Sequence, residues 1–122
     1  LVMFAHRTKP KWDNHKGYGN VLEATRSGNE FHPTQKPVEI LEQLLDNTDW
    51  AEGVLDTFGG SGTTLIAAES AGQPSYTMEL EPRFVDVIVR RYINATGKTT
   101  GIELIRKGKT VGRDRYEHFF TE

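Results

Sequence analysis

Apolar residues in this chain come in short blocks, and the spacing within each block changes along the sequence. LVMFA (1–5) is a continuous apolar run and reads as a buried strand. HRTKPKWDNHKGYGN (6–20) is polar, with Pro10 and Gly17 as breakers, and reads as a loop. GNVLEA (19–24) reads as a short strand and TRSGNEF (25–31) as a loop. Helical spacing then begins. Val38, Leu41, Leu44 and Leu45 recur three and four apart, which predicts a helix over about 35–47. Thr34 is the expected N-cap, and Pro37 fits the first turn because its missing N–H has no helical partner there.

The middle of the chain alternates. GVLDTF (53–58) predicts a short buried strand, GGSG (59–62) a turn, and TTLIAAESAG (63–72) a helix closed by Gly72. PSYTMEL (74–80) predicts a second strand. Phe84, Val87, Ile88, Arg91 and Tyr92 then fall on one helical face, with Pro82 at the favoured first position. Residues 53–95 therefore spell strand, helix, strand, helix, a βαβα unit with a parallel pair. TGIELIR (100–106) predicts a third strand, and the segment after it a hairpin arm turning around Lys107-Gly108. There is no internal repeat and no low-complexity run.

The chemistry concentrates in VLDTFGGSGTT (54–64), where an acid at a strand end runs into a loop with almost no side chains. Three ligands compete for such a loop. A nucleoside triphosphate needs the lysine of G-x-x-x-x-G-K-[ST], and no lysine lies between Val54 and Gly97. A dinucleotide needs G-x-G-x-x-G. Gly60-Ser61-Gly62 supplies half of it, but Leu65 stands at the third position and Asp56 would face a pyrophosphate. S-adenosylmethionine carries no phosphate and has two positive centres, which suit an acid. Small residues let a backbone approach such a ligand, and the following helix start offers free N–H groups. A second acid, Glu79, stands 23 residues after Asp56, where a βαβ unit puts the end of its next strand. Such an acid accepts hydrogen bonds from both ribose hydroxyls. Capping of the loops by Asp56 and Glu79 is the structural alternative.

Length and composition limit the rest. At 122 residues the chain suggests one domain, and it contains no cysteine for disulfides or thiolate metal sites. It contains no run of about 18 apolar residues and no signal-peptide pattern, which fits a cytoplasmic protein. His6, His15, His32 and His118 show no ligand spacing, so no metal site is expected. Net charge is −2, yet residues 1–36 hold six basic residues against three acids. That segment also carries Trp12, Tyr18 and Phe31, a composition that suits phosphate contact and base stacking as well as a solvated loop face. LVMFAH starts without a lead-in, so the chain reads as part of something longer.

Three motifs in order, HPTQKPVEIL (32–41), VLDTFGGSGTT (54–64) and YTMELEPRFVDV (76–87), resemble the amino-group DNA methyltransferases of the β arrangement. The resemblance covers roughly residues 30–97 and implies transfer of a methyl group from S-adenosylmethionine to adenine N6 or cytosine N4 in double-stranded DNA. It implies a Rossmann-like α/β fold of three layers with a mostly parallel sheet, here partial. On that reading residues 1–31 close the catalytic half and carry a short target-recognition region. Residues 32–106 bind the donor, and 107–122 form a tail. The resemblance also implies site residues. Asp56, Phe58 and Gly59, Gly60, Ser61, Gly62 and Thr63 would line the methionine portion, and Glu79 would hold the ribose. His32 starts the donor-site motif, and Thr34, Gln35 and Lys36 would sit near the donor's carboxylate, which a helix N-terminus and a lysine favour. Position 57 is Thr where the family often has Pro, a change of little expected consequence.

One departure matters more. The family's catalytic motif, (Asp/Asn/Ser)-Pro-Pro-(Tyr/Phe), holds the target amino group and stacks on the flipped base. No Pro-Pro pair occurs in this sequence, so no catalytic residue is assigned. In the β arrangement that motif lies N-terminal to target recognition, and it is expected upstream of Leu1. Two functions of different class follow: the donor-binding part of a DNA methyltransferase, completed by a missing N-terminal half, or an inactive module that still binds the donor. An open sheet edge also invites pairing with a second copy.

Overall fold

The computed structural model describes residues 21–25, 35–48, 52–112 and 117. The expected strand at 1–5, the loops at 6–20 and 26–31, and the site positions His32 and Thr34 lie outside the described residues. Val21–Ala24, the described part of the strand expected at 19–24, is not a strand; Val21 is 70% exposed, and among the described residues no strand pairs with it.

The first helix, α1, runs Val38–Asp46 and starts three residues later than expected. Its N-cap is Pro37, at φ −60 and ψ 136, with no side-chain cap. Proline explains the delay. Its ring disfavours the helical region for the residue before it, so Lys36 cannot join the helix.

The strand–helix–strand–helix reading is borne out. Strand β1 is Val54–Asp56, helix α2 Thr63–Ser70, strand β2 Ser75–Thr77 and helix α3 Pro82–Thr96. β1 and β2 pair in parallel, with Val54 opposite Ser75, Leu55 opposite Tyr76 and Asp56 opposite Thr77. Helix α2 crosses between them and packs on α1, α3 and both strands. Ala67 and Ala68 of α2 are wholly buried, and only side chains that small let so many elements approach one helix. Ile88 and Ile93 of α3 complete the buried apolar core among the described residues.

The helix ends follow their residues. Pro82 is the first residue of α3, as expected. Gly72 follows α2 in the left-handed region at φ 67. Its N–H donates to Glu69 O at 3.1 Å and the Gln73 N–H to Ala68 O at 2.9 Å, the paired bonds of a Schellman closure. Gly97 closes α3 in the same region, at φ 68.

The last elements form a hairpin, β3 Leu104–Arg106 and β4 Lys109–Val111, antiparallel around Lys107-Gly108. Both turn residues have positive φ, 52 and 74, the geometry that suits the twist of a two-residue hairpin. The expected third strand at 100–106 is shorter because Gly101, at φ 76, breaks the extended run. It pairs with β4 and does not join β1 and β2. The described residues thus hold a two-stranded parallel pair with three helices, less than the three-layer sheet the resemblance implies. One face of that pair is open: Leu55 is 68% exposed and Tyr76 66%. Met78 and Leu80, just past β2, are exposed as well.

A charged tie fastens the far end of α3 to α2. Lys98 Nζ bonds Glu69 Oε1, and Tyr92 Oη donates to Glu69 Oε2 at 3.3 Å. The Lys98 hydrogen bond holds the Glu69 carboxyl below its ordinary 4.5, and the same bond lifts Lys98 above 10.5. Stabilisation from Glu69 is therefore full above its ordinary value and fades as pH falls through the lowered one. That from Lys98 is full below 10.5 and fades as pH rises through the raised value. Glu69→Gln should melt slightly below wild type near neutral pH. In thermal melts followed by circular dichroism, that gap should close as the pH is lowered through and below the depressed Glu69 value.

Candidate functional site

The site grows from the carboxyl ends of β1 and β2. Asp56, the last residue of β1, accepts the Phe58 N–H on Oδ1 at 3.0 Å, which starts the turn. The Met78 N–H then donates to Asp56 O and the Gly59 N–H to Met78 O, both at 2.8 Å. The pairing thus runs on past the strands and ties the loop to the end of β2.

Glycines are required here by packing. A Cβ on Gly59 would meet Thr77 Cγ2 at 2.5 Å and Ile88 Cδ1 at 3.1 Å. Gly62 is at φ 80, and a Cβ there would meet Ile88 at 3.1 Å. Both absent side chains leave room for protein atoms. At Gly59 and Gly62 the small residues serve packing as well: β2 and α3 press on the loop from behind.

The two acids also act on the backbone. Glu79 Oε2 accepts the Gly60 N–H at 2.7 Å, and its Oε1 accepts the Glu81 N–H at 2.9 Å. Loop capping, the structural alternative, is therefore present at both Asp56 and Glu79. It does not use the carboxylates up, because each oxygen carries two lone pairs.

Arg91 reaches the loop from α3. Its Nη1 donates to Ser61 O at 2.8 Å, to Ser61 Oγ at 3.0 Å and to Thr63 Oγ1 at 3.3 Å. Ser61 and Thr63 are buried, and burial holds the guanidinium pKa below its ordinary value. Thr63 Oγ1 in turn donates to Lys36 O at 3.4 Å, joining α2 to the segment before α1.

These elements enclose a cleft of about 300 Å³, at the small end of the range for ligand pockets. Asp56, Phe58, Gly59, Gly60, Ser61 and Thr63 line it, with Glu79 from beyond β2. Gln35 and Lys36 line it from the segment before α1. Of the twelve positions expected here, ten are described and nine line the cleft; Gly62 does not, and two lining residues, Leu41 and Thr64, were not anticipated. Leu41 sits on the apolar stripe of α1 and reads as core by spacing alone. Thr64 sits within the motif, one position past the residues assigned. Phe58 is 89% exposed, so its ring is a free apolar surface at the cleft. A second groove, of about 410 Å³, lies between the ends of α1 and α2. It holds Glu39, Glu42 and Asp46 but none of the expected site residues. Among the described residues no group of three or more His, Cys, Asp or Glu could hold a metal ion. No helix of the described residues is long and apolar enough to cross a membrane.

The pattern that describes the DNA methylase family of N6 and N4 specificity matches residues 5–90. The chain belongs to the N6/N4 DNA methylase family. It is similar to a putative methylase, YubD, of Escherichia coli K12, 42% identical over 62 residues. That match covers 50% of this chain and 27% of the relative. It is also similar to the type II methyltransferase M2.MboI of Moraxella bovis, 39% identical over 53% of this chain and 24% of the relative. M.HinfI of Haemophilus influenzae, another type II methyltransferase, is 33% identical over 64% of this chain and 22% of its own length. The chain thus spans about a quarter of the length of the curated relatives it matches. No solved structure matches it. Membership in a methylase family implies a methyl donor, and the matched residues include every part of the cleft.

Packing of the methylase loop makes Gly59 a sensitive position. Gly59→Ala should lower the unfolding free energy by about 1–3 kcal/mol, through overpacking against Thr77. Adding Thr77→Ser, which removes the clashing methyl, should recover part of it. Urea denaturation of the single and double variants checks both.

Proposed function

We propose that the chain is the donor-binding part of a DNA methyltransferase that acts on the exocyclic amino group of adenine (N6) or cytosine (N4), with S-adenosylmethionine in the cleft. The observation that carries this is the pair of carboxylates, Asp56 and Glu79, brought to one cleft at adjacent strand ends. The Gly60 N–H, which a phosphate would need, is already taken by Glu79. A dinucleotide or triphosphate would face two negative charges and a spent donor. A ligand with positive centres and a ribose meets the acids favourably.

The bound donor supplies a methyl group on a sulfonium centre. Asp56, beside Phe58 and the loop, offers negative charge to the positive end. On this reading the Glu79 carboxylate, whose bonds to Gly60 and Glu81 hold the loop, also accepts from the ribose hydroxyls. Lys36 and Gln35 provide polar contacts for a carboxylate, and the first N–H groups of α2 favour the same charge. His32 and Thr34 belong to this motif by resemblance. The basic, aromatic segment before Lys36 is the proposed contact to double-stranded DNA, and the chemistry itself falls to a Pro-Pro motif this sequence does not contain. The second reading is an inactive donor-binding module.

Thermal melts with S-adenosylmethionine, S-adenosylhomocysteine, NAD and ATP test the assignment. The expected result is a rise of several degrees with the first two alone, lost in Asp56→Ala. Equal shifts with NAD or ATP, or none with any ligand, would overturn it. Methyl transfer to a DNA duplex by the chain itself would rule out the inactive module.

A further inference from the structure

The donor cleft has a back wall, and one side chain fastens it. We infer that Arg91 is the positioning residue of the donor site: a guanidinium on α3 that locks the glycine-rich loop and, through Thr63, the segment before α1 into one arrangement. The inference rests on the donor-binding reading of the cleft.

Arg91 does not line the cleft. It lies just beyond residues 5–90, the stretch that matches the family pattern. One of its nitrogens, Nη1, nevertheless serves three oxygens, Ser61 O, Ser61 Oγ and Thr63 Oγ1, within 2.8–3.3 Å. All three belong to residues that face the cleft. Hydrogen bonds from a charged donor to buried acceptors are stronger than neutral ones. Thr63 passes the constraint on. Its hydroxyl accepts from Arg91 and donates to Lys36 O, so its hydrogen is committed in one direction. A hydroxyl polarised in this way bonds more firmly on both sides. The GGSG loop and the QKP segment, far apart in sequence, are thereby held to the same anchor.

Loop geometry has few other determinants on this side. Gly60 and Gly62 are both at positive φ, and glycine has the widest backbone freedom of any residue. Glu79 holds Gly60 from the front, Ile88 bears on Gly62 by contact alone, and Arg91 fixes the carbonyl between them. Without Arg91, Ser61 keeps its place only through packing and the Gly62 N–H to Gly59 O bond at 2.8 Å that spans it, and the donor would have to finish ordering the loop as it binds.

The test is the dissociation constant for S-adenosylhomocysteine, by calorimetry, for the wild-type chain, Arg91→Met, Arg91→Lys and Ile93→Val. Ile93→Val trims the same helix without touching the loop, and serves as a control for lowered stability. Amide hydrogen exchange at Gly60–Gly62 is read in the ligand-free proteins. Arg91→Met should bind about tenfold or more weakly. It should also exchange faster at those amides. Arg91→Lys, which keeps a donor, should fall between, and Ile93→Val should bind like wild type. Equal binding by Arg91→Met and wild type would overturn the inference and leave the donor reading intact. So would equal weakening in Ile93→Val at matched stability. Failure of the wild-type chain to bind would remove the donor reading and this inference together.

Discussion

The loop after β1 holds its shape because Ile88 stands against it. That one side chain of α3 occupies the space a Cβ on either Gly59 or Gly62 would need, and it is among the few buried apolar residues described. The contact sets how near α3 comes to the strand ends. It thereby sets where Arg91, three residues further along α3, meets Ser61 and Thr63. Core packing and site geometry are the same interaction seen from two sides. A methylene added at either glycine would disturb both.

Electrostatics then decide what the packed loop can accept. A turn rich in glycine usually presents spare N–H groups to an anion. Here Asp56 takes the Phe58 N–H and Glu79 takes those of Gly60 and Glu81. The turn becomes acidic where similar turns are anion-seeking. The capping role and the binding role of these carboxylates are compatible, since an acid held rigidly by backbone donors presents its remaining lone pairs in fixed directions. The residues that give the loop its shape also give it its charge.

How far the sequence could be read follows from where the causes lie. The βαβα unit was legible because Pro82, Gly72 and the stripe through Phe84 and Ile88 act locally. The turn at Lys107-Gly108 was legible for the same reason. The acids at strand ends were legible because a crossover fixes their spacing. The start of α1 was misplaced because Pro37 acts backward on Lys36, against the pull of helical spacing. Leu41 was hidden, since a leucine on an apolar stripe looks the same whether it faces core or cleft. Arg91 fell on the expected face of α3, but nothing in its neighbours announces that its nitrogen meets a loop thirty residues earlier. The glycines were noticed but their packing role was not: sequence shows that a side chain is missing and not which atoms occupy the space.

The open face of the parallel pair has its own outcome. Strands of this kind are ordinarily covered on both sides, and Leu55 and Tyr76 are not. Exposed apolar facets of this kind favour association of opened molecules, and where that association is irreversible the observed midpoint depends on the rate of heating. A ligand that delays opening will raise that midpoint by slowing the escape as well as by shifting the balance.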